Sequence, residues 1–317
     1  MSAPLGIASS LSHLKGVDFL SSSDLSLEQI KSLFRLAIQF KEERRRIDLG
    51  NRVLGLIFTK ASTRTRVSFQ VAMARLGGQT IDLNPQITQL GRGEPLKDTA
   101  RVLSRYCDIL AIRTFSQEEL IEYASWASVP VVNALTDLEH PCQVLADYLT
   151  MQECFGDLKG QTIAYIGDGN NVANSLMICG SLLGVNVRIA SPKGFEPSKN
   201  IVEKAQNLSL DGAKISIFNA PQDALQGANA IYTDVWASMG QESQQRERSI
   251  AFKDFCLDKE LLGKGNRDAI VLHCLPAHRG EEISDEVIEC TQSRIFDQAE
   301  NRLHVQQALL ATLLGGL

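Results

Sequence analysis

The 317-residue sequence has no run of about 18 apolar residues, so no membrane-spanning helix is expected. It has no basic excess: 32 Lys and Arg stand against 37 Asp and Glu, a net charge of −5. Nucleic-acid partners usually meet a basic face, so none is expected. There is no GxxxxGK[ST] loop, and nucleoside-triphosphate chemistry is not indicated. The N-terminal "MSAPLGIASSLSHLKG" has no basic region ahead of its mildly apolar stretch, so no secretory signal is expected. The seven cysteines (107, 142, 154, 179, 256, 274 and 290) are odd in number, scattered and without a CxxC pair. That pattern predicts reduced thiols in a cytoplasmic protein, with neither a disulfide framework nor a structural zinc site. His140–Cys142 and His273-Cys274…His278 lack paired ligand spacing, and no metal is expected. No low-complexity segment or short repeat is present. What remains is ordinary globular material, 44% hydrophobic and 22% charged, enough for two cores.

Short apolar runs alternate with segments of helical period. Ser26-Leu27-Glu28-Gln29 resembles a capping box ahead of Ile30, Leu33, Phe34, Ala37 and Ile38. "VLGLIF" (53–58) is a continuous apolar run, as a buried parallel strand requires. Phe69, Ala72, Met73 and Leu76 then mark a helix face that stops at Gly77-Gly78. Further strands are expected at 80–83, 109–113, 129–134, 162–169, 186–190, 214–218, 230–235 and 269–275. Helices are expected at 98–107, 117–127, 139–155, 171–183, 198–208 and 301–314. This alternation predicts an α/β fold of two similar-sized domains, each a parallel sheet flanked by helices. The boundary is expected near 150, giving domains 1–150 and 151–317. The helix at 139–155 joins them, and the final helix packs back on the first. The long polar stretch 236–250 is predicted to be a mobile lid.

Several motifs sit where such a fold places ligands. "STRTR" (62–66) lies at a strand-to-helix turn, where unsatisfied N–H groups carry partial positive charge. The hydroxyls of Ser62, Thr63 and Thr65, with Arg64, suit a phosphate there. A solvated helix start is equally open. "HPCQ" (140–143) puts His140 at a helix start with Pro141 in the first turn. The positive helix end favours a neutral imidazole that donates to a carbonyl oxygen; a capping His fits as well. Arg113 ends a strand, on the side where open α/β sheets bind ligands. "IGDGNNVANS" (166–175) begins like a dinucleotide fingerprint, but Val172 replaces the third glycine. That leaves an NAD-dependent dehydrogenase as a rival, and reads more simply as a turn with Asn170 and Asn171 as polar contacts. Asp234 stands at a strand end and suits an ammonium group, or caps a turn. Cys274 ends the strongest apolar strand, where a buried inert thiol is the commoner outcome. Arg302 opens the last helix, as a ligand contact or a solvated charge.

Together, "STRTR", "HPCQ", "DVWASMG" and "HCLP" resemble, in order and rough spacing, the ornithine carbamoyltransferases of the aspartate/ornithine carbamoyltransferase family. The resemblance runs from about Leu14 to Leu314, and the last two motifs are the ones specific to the ornithine branch. It implies transfer of a carbamoyl group from carbamoyl phosphate to the side-chain amine of L-ornithine, giving citrulline and phosphate for arginine formation. Putrescine or acetylornithine is the alternative acceptor. Carbamoyl phosphate would be held by Ser62, Thr63, Arg64, Thr65, Arg113, His140, Gln143 and Arg302, with Gln89 reaching a neighbouring subunit's site. Ornithine would be held by Asn171, Asp234, Ser238 and Met239. Cys274 and Leu275, counted with the carbamoyl phosphate set, would line the reacting end of ornithine. Arg113, His140, Cys274 and Arg302 would be catalytic. No cofactor or metal is implied. The family is typically trimeric, which implies a homo-oligomer, a trimer or a multiple of one.

Overall fold

The computed structural model describes residues 5–84, 93–237 and 245–317. Apolar runs with both faces covered become parallel strands, and among the described residues these form two sheets. In the first, β1 (Val53–Phe58), β2 (Gln79–Leu83), β3 (Ile109–Arg113) and β4 (Val131–Leu135) lie in the order β2-β1-β3-β4. In the second, β5 (Thr162–Ile166), β6 (Asn186–Ala190), β7 (Ile215–Phe218), β8 (Ala230–Thr233) and β9 (Ile270–His273) lie in the order β7-β6-β5-β8-β9. β3 and β5 are buried at every position, which is why they read as unbroken apolar runs. β2 lies at a sheet edge, and its exposed positions accommodate Gln79 and Asp82. The expectation of two helix-flanked parallel sheets is met.

The helices are α1 (Leu5–Leu11), α2 (Leu27–Lys41), α3 (Arg64–Arg75), α4 (Leu96–Leu103), α5 (Gln117–Trp126), α6 (Pro141–Phe155), α7 (Asn171–Leu183), α8 (Lys199–Asn207), α9 (Pro221–Leu225), α10 (Gln245–Ala251), α11 (Lys259–Leu262), α12 (Asp285–Ile288) and α13 (Ile295–Leu313). At α2 the capping box forms: Ser26 accepts from the Gln29 amide, and the Gln29 side chain accepts from the Ser26 amide. The chain divides into two compact units, Met1–Leu145 with Glu300–Leu317, and Ala146–Ala299. It passes from one to the other within α6 and returns within α13. One apolar core of the first unit holds Ile57, Leu110, Ile112, Leu120 and Tyr123. In the second, Ile166, Ile231, Trp236, Phe252, Val271 and Ile283 pack together. Among the described residues, no helix is long and apolar enough to cross a membrane.

Element ends depart from the sequence expectations for physical reasons. The strands expected at 162–169, 230–235 and 269–275 stop at Ile166, Thr233 and His273. Ile166 pairs with Thr233 and Thr233 with His273, so the three strands end on one line. The residues beyond that line, Gly167–Gly169, Asp234-Val235 and Cys274-Leu275, lie outside the ladder. The helix expected at 98–107 is α4, which begins directly after Pro95. The final helix begins at Ile295, not 301, because Ile295 is fully buried and Gln298 is bound within the fold. Gln298 accepts from the His273 amide (2.9 Å) and donates to Asp147 (2.6 Å). The expected lid at 236–250 is in part helix: α10 occupies Gln245–Ala251, and 238–244 lie outside the described residues.

Candidate active site

In each sheet the strand order reverses once, between β1 and β3 in the first and between β5 and β8 in the second. Loops leaving neighbouring strands at such a point diverge, opening a crevice beyond the carboxyl ends. "STRTR" follows β1, and Arg113, the last residue of β3, pairs in register with Phe58 of β1. In the second unit the 167–171 turn follows β5 and Asp234 follows β8, with Ile166 and Thr233 in register. "STRTR" and Arg113 therefore sit at the first reversal, and the 167–171 turn and Asp234 at the second.

In the first unit, α3 opens immediately after "ST". Thr63 occupies the cap position with φ −86° and ψ −58°, and its side chain makes no capping bond. The first-turn N–H groups of α3 therefore receive no hydroxyl from Thr63. Ser62 is half-buried, Thr63 and Arg64 are exposed, and Thr65 is buried. The Thr65 Oγ1 accepts a 2.6 Å bond from Arg302 Nη2, which α13 carries into the unit's interior. Arg113, His140 and Gln143 are buried as well. His140 immediately precedes α6, and Gln143 follows one turn on. Burial first, then the charges of Arg302 and Arg113, hold the His140 pKa well below the ordinary 6.5. The imidazole is therefore neutral near pH 7, as expected, but chiefly through burial and the two arginines. Thr65, Arg113, His140 and Arg302 thus form one buried donor group. Arg66 and Lys60 stand apart from it: Arg66 pairs with Asp82, and Lys60 Nζ lies 4.1 Å from the Phe115 ring centroid.

The loop into His140 is pinned by Glu139, whose carboxylate accepts from Ser21 Oγ (2.6 Å) and the Ser22 amide (2.8 Å). Nothing in the local sequence announces this contact, because its partners lie more than a hundred residues upstream.

In the second unit, Asp234 is 5% exposed and fully engaged. Its Oδ2 accepts from Asn170 Nδ2 (2.8 Å); its Oδ1 accepts from the Val235 amide (2.8 Å) and from the Cys274 thiol (2.9 Å). Asn170 caps α7, its Oδ1 accepting from the Val172 and Ala173 amides. Asn171, half-exposed, is the first residue of that helix. Cys274 and Leu275 are half-buried just beyond β9. Leu275 has φ +58°, a left-handed backbone rare for a bulky residue and typical of ligand sites. Its amide donates to His273 Nδ1 (2.8 Å), which puts the His273 proton on Nε2, facing Glu282 Oε1 at 3.0 Å. Among the described residues, Asp234–His273–Cys274 and His278–Glu281–Glu282 are close enough to share a cation. In the first group both His273 ring nitrogens are already engaged. Gln89, Ser238 and Met239 lie outside the described residues.

The neutral His140 has a consequence for stability. Its folded pKa lies below its unfolded value, so the unfolded chain binds the extra proton between the two. Stability is full above about 6.5 and falls as pH drops through that value. Burial lowers His304 in the same direction. Thermal melts between about pH 7.5 and about pH 5, either side of the ordinary His pKa, are expected to show this decline, reduced in His140→Asn.

Similarity to known proteins identifies the family. Residues 17–153 match the family model "Aspartate/ornithine carbamoyltransferase, carbamoyl-P binding domain", and residues 159–313 match the companion "Asp/Orn binding domain". The chain is similar to the ornithine carbamoyltransferase of Parasynechococcus marenigrum, 69% identical over 315 residues and 99% of each chain. Among solved structures it resembles the ornithine carbamoyltransferase of Pyrococcus furiosus, with TM-score 0.92 and 47% identity over 96% of this chain and 99% of that one. It also resembles the anabolic enzyme of Campylobacter jejuni, with TM-score 0.88 and 41% identity over 93% of this chain and 98% of that one. With both sheets, both sets of motifs and nearly its whole length accounted for, the chain belongs to the aspartate/ornithine carbamoyltransferase family.

Proposed function

We propose that the protein transfers the carbamoyl group of carbamoyl phosphate to the side-chain amine of L-ornithine, forming L-citrulline and phosphate. The observation that carries this reading is the buried donor group of Thr65, Arg113, His140 and Arg302 beside the start of α3. Two guanidiniums next to an imidazole held neutral suit a ligand that is anionic at one end and a polar carbonyl at the other. Ser62, Thr63, Arg64 and the first-turn N–H groups of α3 bind the phosphate. Arg113, His140 and Gln143 bind the carbamoyl group, and Arg302, bonded to Thr65, adds a charged donor to carbamoyl phosphate where negative charge develops.

In the second unit, Asp234 with Asn171 takes the amino-acid end of ornithine. Cys274 and Leu275 line its reacting end. The ornithine side-chain amine, with a pKa of roughly 10.4 by analogy with lysine, attacks only in its neutral form. Its nitrogen bonds to the carbamoyl carbon and the bond from that carbon to the phosphate oxygen breaks. Negative charge that develops on the carbamoyl oxygen is met by Arg113 and His140. The departing phosphate is neutralised by Arg64 and the α3 N-terminus, and can accept the proton the amine releases. Cys274 contributes as a thiol bound to Asp234, not as a nucleophile. We further propose a homo-oligomer, a trimer or a multiple of one, to which Gln89 contributes across subunits, acting in the cytoplasm in arginine formation.

The testing experiment is an initial-rate assay with carbamoyl phosphate and four amines: ornithine, putrescine, aspartate and acetylornithine. Ornithine is expected to give the highest kcat/KM; a preference for another amine would reassign the acceptor. A second prediction concerns Arg64→Ala. Loss of one charge-assisted contact is expected to weaken carbamoyl phosphate binding by about tenfold to a hundredfold in calorimetry. Unchanged binding would remove Arg64 from the phosphate site.

A further inference from the structure

We propose that Arg248 is a positioning residue that sets the geometry of the amino-acid site by clamping the two segments that carry Asn170 and Asp234. Arg248 is 6% exposed. Nη1 donates to Asp168 Oδ2 (2.8 Å) and to the Trp236 carbonyl (2.7 Å). The guanidinium also lies over the Phe195 ring, 5.0 Å from its centroid. Asp168 is two residues before Asn170, and Trp236 is two residues after Asp234. One side chain therefore brackets the 2.8 Å Asn170–Asp234 bond from both flanks.

The clamp acts on a turn with little other freedom. The Gly169 amide donates to the Phe195 carbonyl (2.8 Å), and a Cβ at Gly169 would overlap the backbone of Glu196 and Pro197. The turn is thus seated on the 195–197 segment on one side and drawn to α10 by Asp168 on the other. α10 is itself anchored through Phe252, which directly follows it, is fully buried and packs on Phe195, Trp236 and Phe255. A buried ion pair is not needed for stability, since apolar residues of similar volume often serve as well or better. What the pair provides here is direction: two acceptors on two strand-ends are held at fixed distance by one planar, stacked group. A displacement of about 1 Å at a positioned substrate group can cost about a hundredfold in rate. The inference rests on the reading above that Asp234 takes the amino-acid end of the acceptor.

The test replaces both charges together, Arg248→Met with Asp168→Asn, so that no buried charge is left unpaired. In the folded variant the ornithine KM is expected to rise about tenfold or more, with kcat at saturating ornithine changed far less. Carbamoyl phosphate affinity, read by calorimetry without ornithine, is expected to stay unchanged. Amide exchange in segments 165–173 and 233–237 is expected to quicken. Arg248→Lys, which keeps a cation for Asp168 but loses the stacking on Phe195, is expected to recover part of the KM. An unchanged ornithine KM, equal losses for both substrates, or unchanged exchange in those segments would overturn the clamp. The exchange result needs no substrate, so it judges the clamp even if the unaltered protein makes no citrulline, an outcome that would instead overturn the proposed function.

Discussion

Replacing Arg302 with Gln is expected to lower kcat/KM by about a hundredfold to a thousandfold, the range seen when one preorganised donor to developing charge is removed. Gln keeps a donor of its own but loses the charge, and its shorter side chain does not reproduce the 2.6 Å bond to Thr65. The loss has a second signature. Arg302 is the larger of the two neighbouring charges that hold the His140 pKa down. Without it, that pKa rises toward the ordinary value, and the acidic limb of the kcat/KM profile moves to higher pH. A rate loss without this shift would mean that Arg302 acts away from His140. Calorimetry with carbamoyl phosphate alone is expected to show weaker binding.

Asp234→Asn is expected to have an effect of similar size on the other substrate. The change keeps the shape but removes the charge proposed to meet the amino-acid end of ornithine. It also disturbs the bonds from Asn170, Val235 and Cys274 that converge on the carboxylate. Breaking a buried ion pair typically costs about 3–5 kcal/mol, or roughly a hundredfold to several thousandfold in kcat/KM for ornithine. Carbamoyl phosphate binding measured without ornithine is expected to be unaltered. The two substitutions should therefore separate the sites: Arg302→Gln weakens carbamoyl phosphate, and Asp234→Asn spares it. If both variants lost carbamoyl phosphate affinity equally, the assignment of one ligand to each set of residues would fail.

The fold was largely legible because its signal is local. Strands such as "ILAIR" and "TIAYI" are buried on both faces and so appear as uninterrupted apolar runs. The helices between them keep the 3.6-residue period. Short helices such as α9 and α11 fall below the window in which that period can be read. The beginning of α13 is not legible in the sequence because Ile295 is buried in the second unit's core and Gln298 is bonded to distant segments, which periodicity does not report.

Candidate site positions were legible where residue type and the end of an element coincide: Arg113 closes β3, His140 precedes α6 and Asp234 follows β8. Its supporting contacts were not. Glu139 meets Ser21 and Ser22, Arg248 meets Asp168, and His273 meets Glu282 through the folded chain, with no motif marking either partner. The fingerprint-like "GDGNN" illustrates the difference. Its missing third glycine weighed against a dinucleotide, while the structure shows what its residues do: Asn170 caps α7 and binds Asp234, and Asp168 binds Arg248.

In the proposed reaction the carbamoyl carbon passes to the side-chain nitrogen of ornithine with release of phosphate. The most direct measurement is carbon NMR on carbamoyl phosphate labelled at the carbamoyl carbon, followed with ornithine and the unaltered protein while phosphate is assayed in parallel. The label is expected to appear as the ureido carbon of citrulline, one for each phosphate released. Phosphate release without ureido label, or label on the α-nitrogen of ornithine, would contradict it.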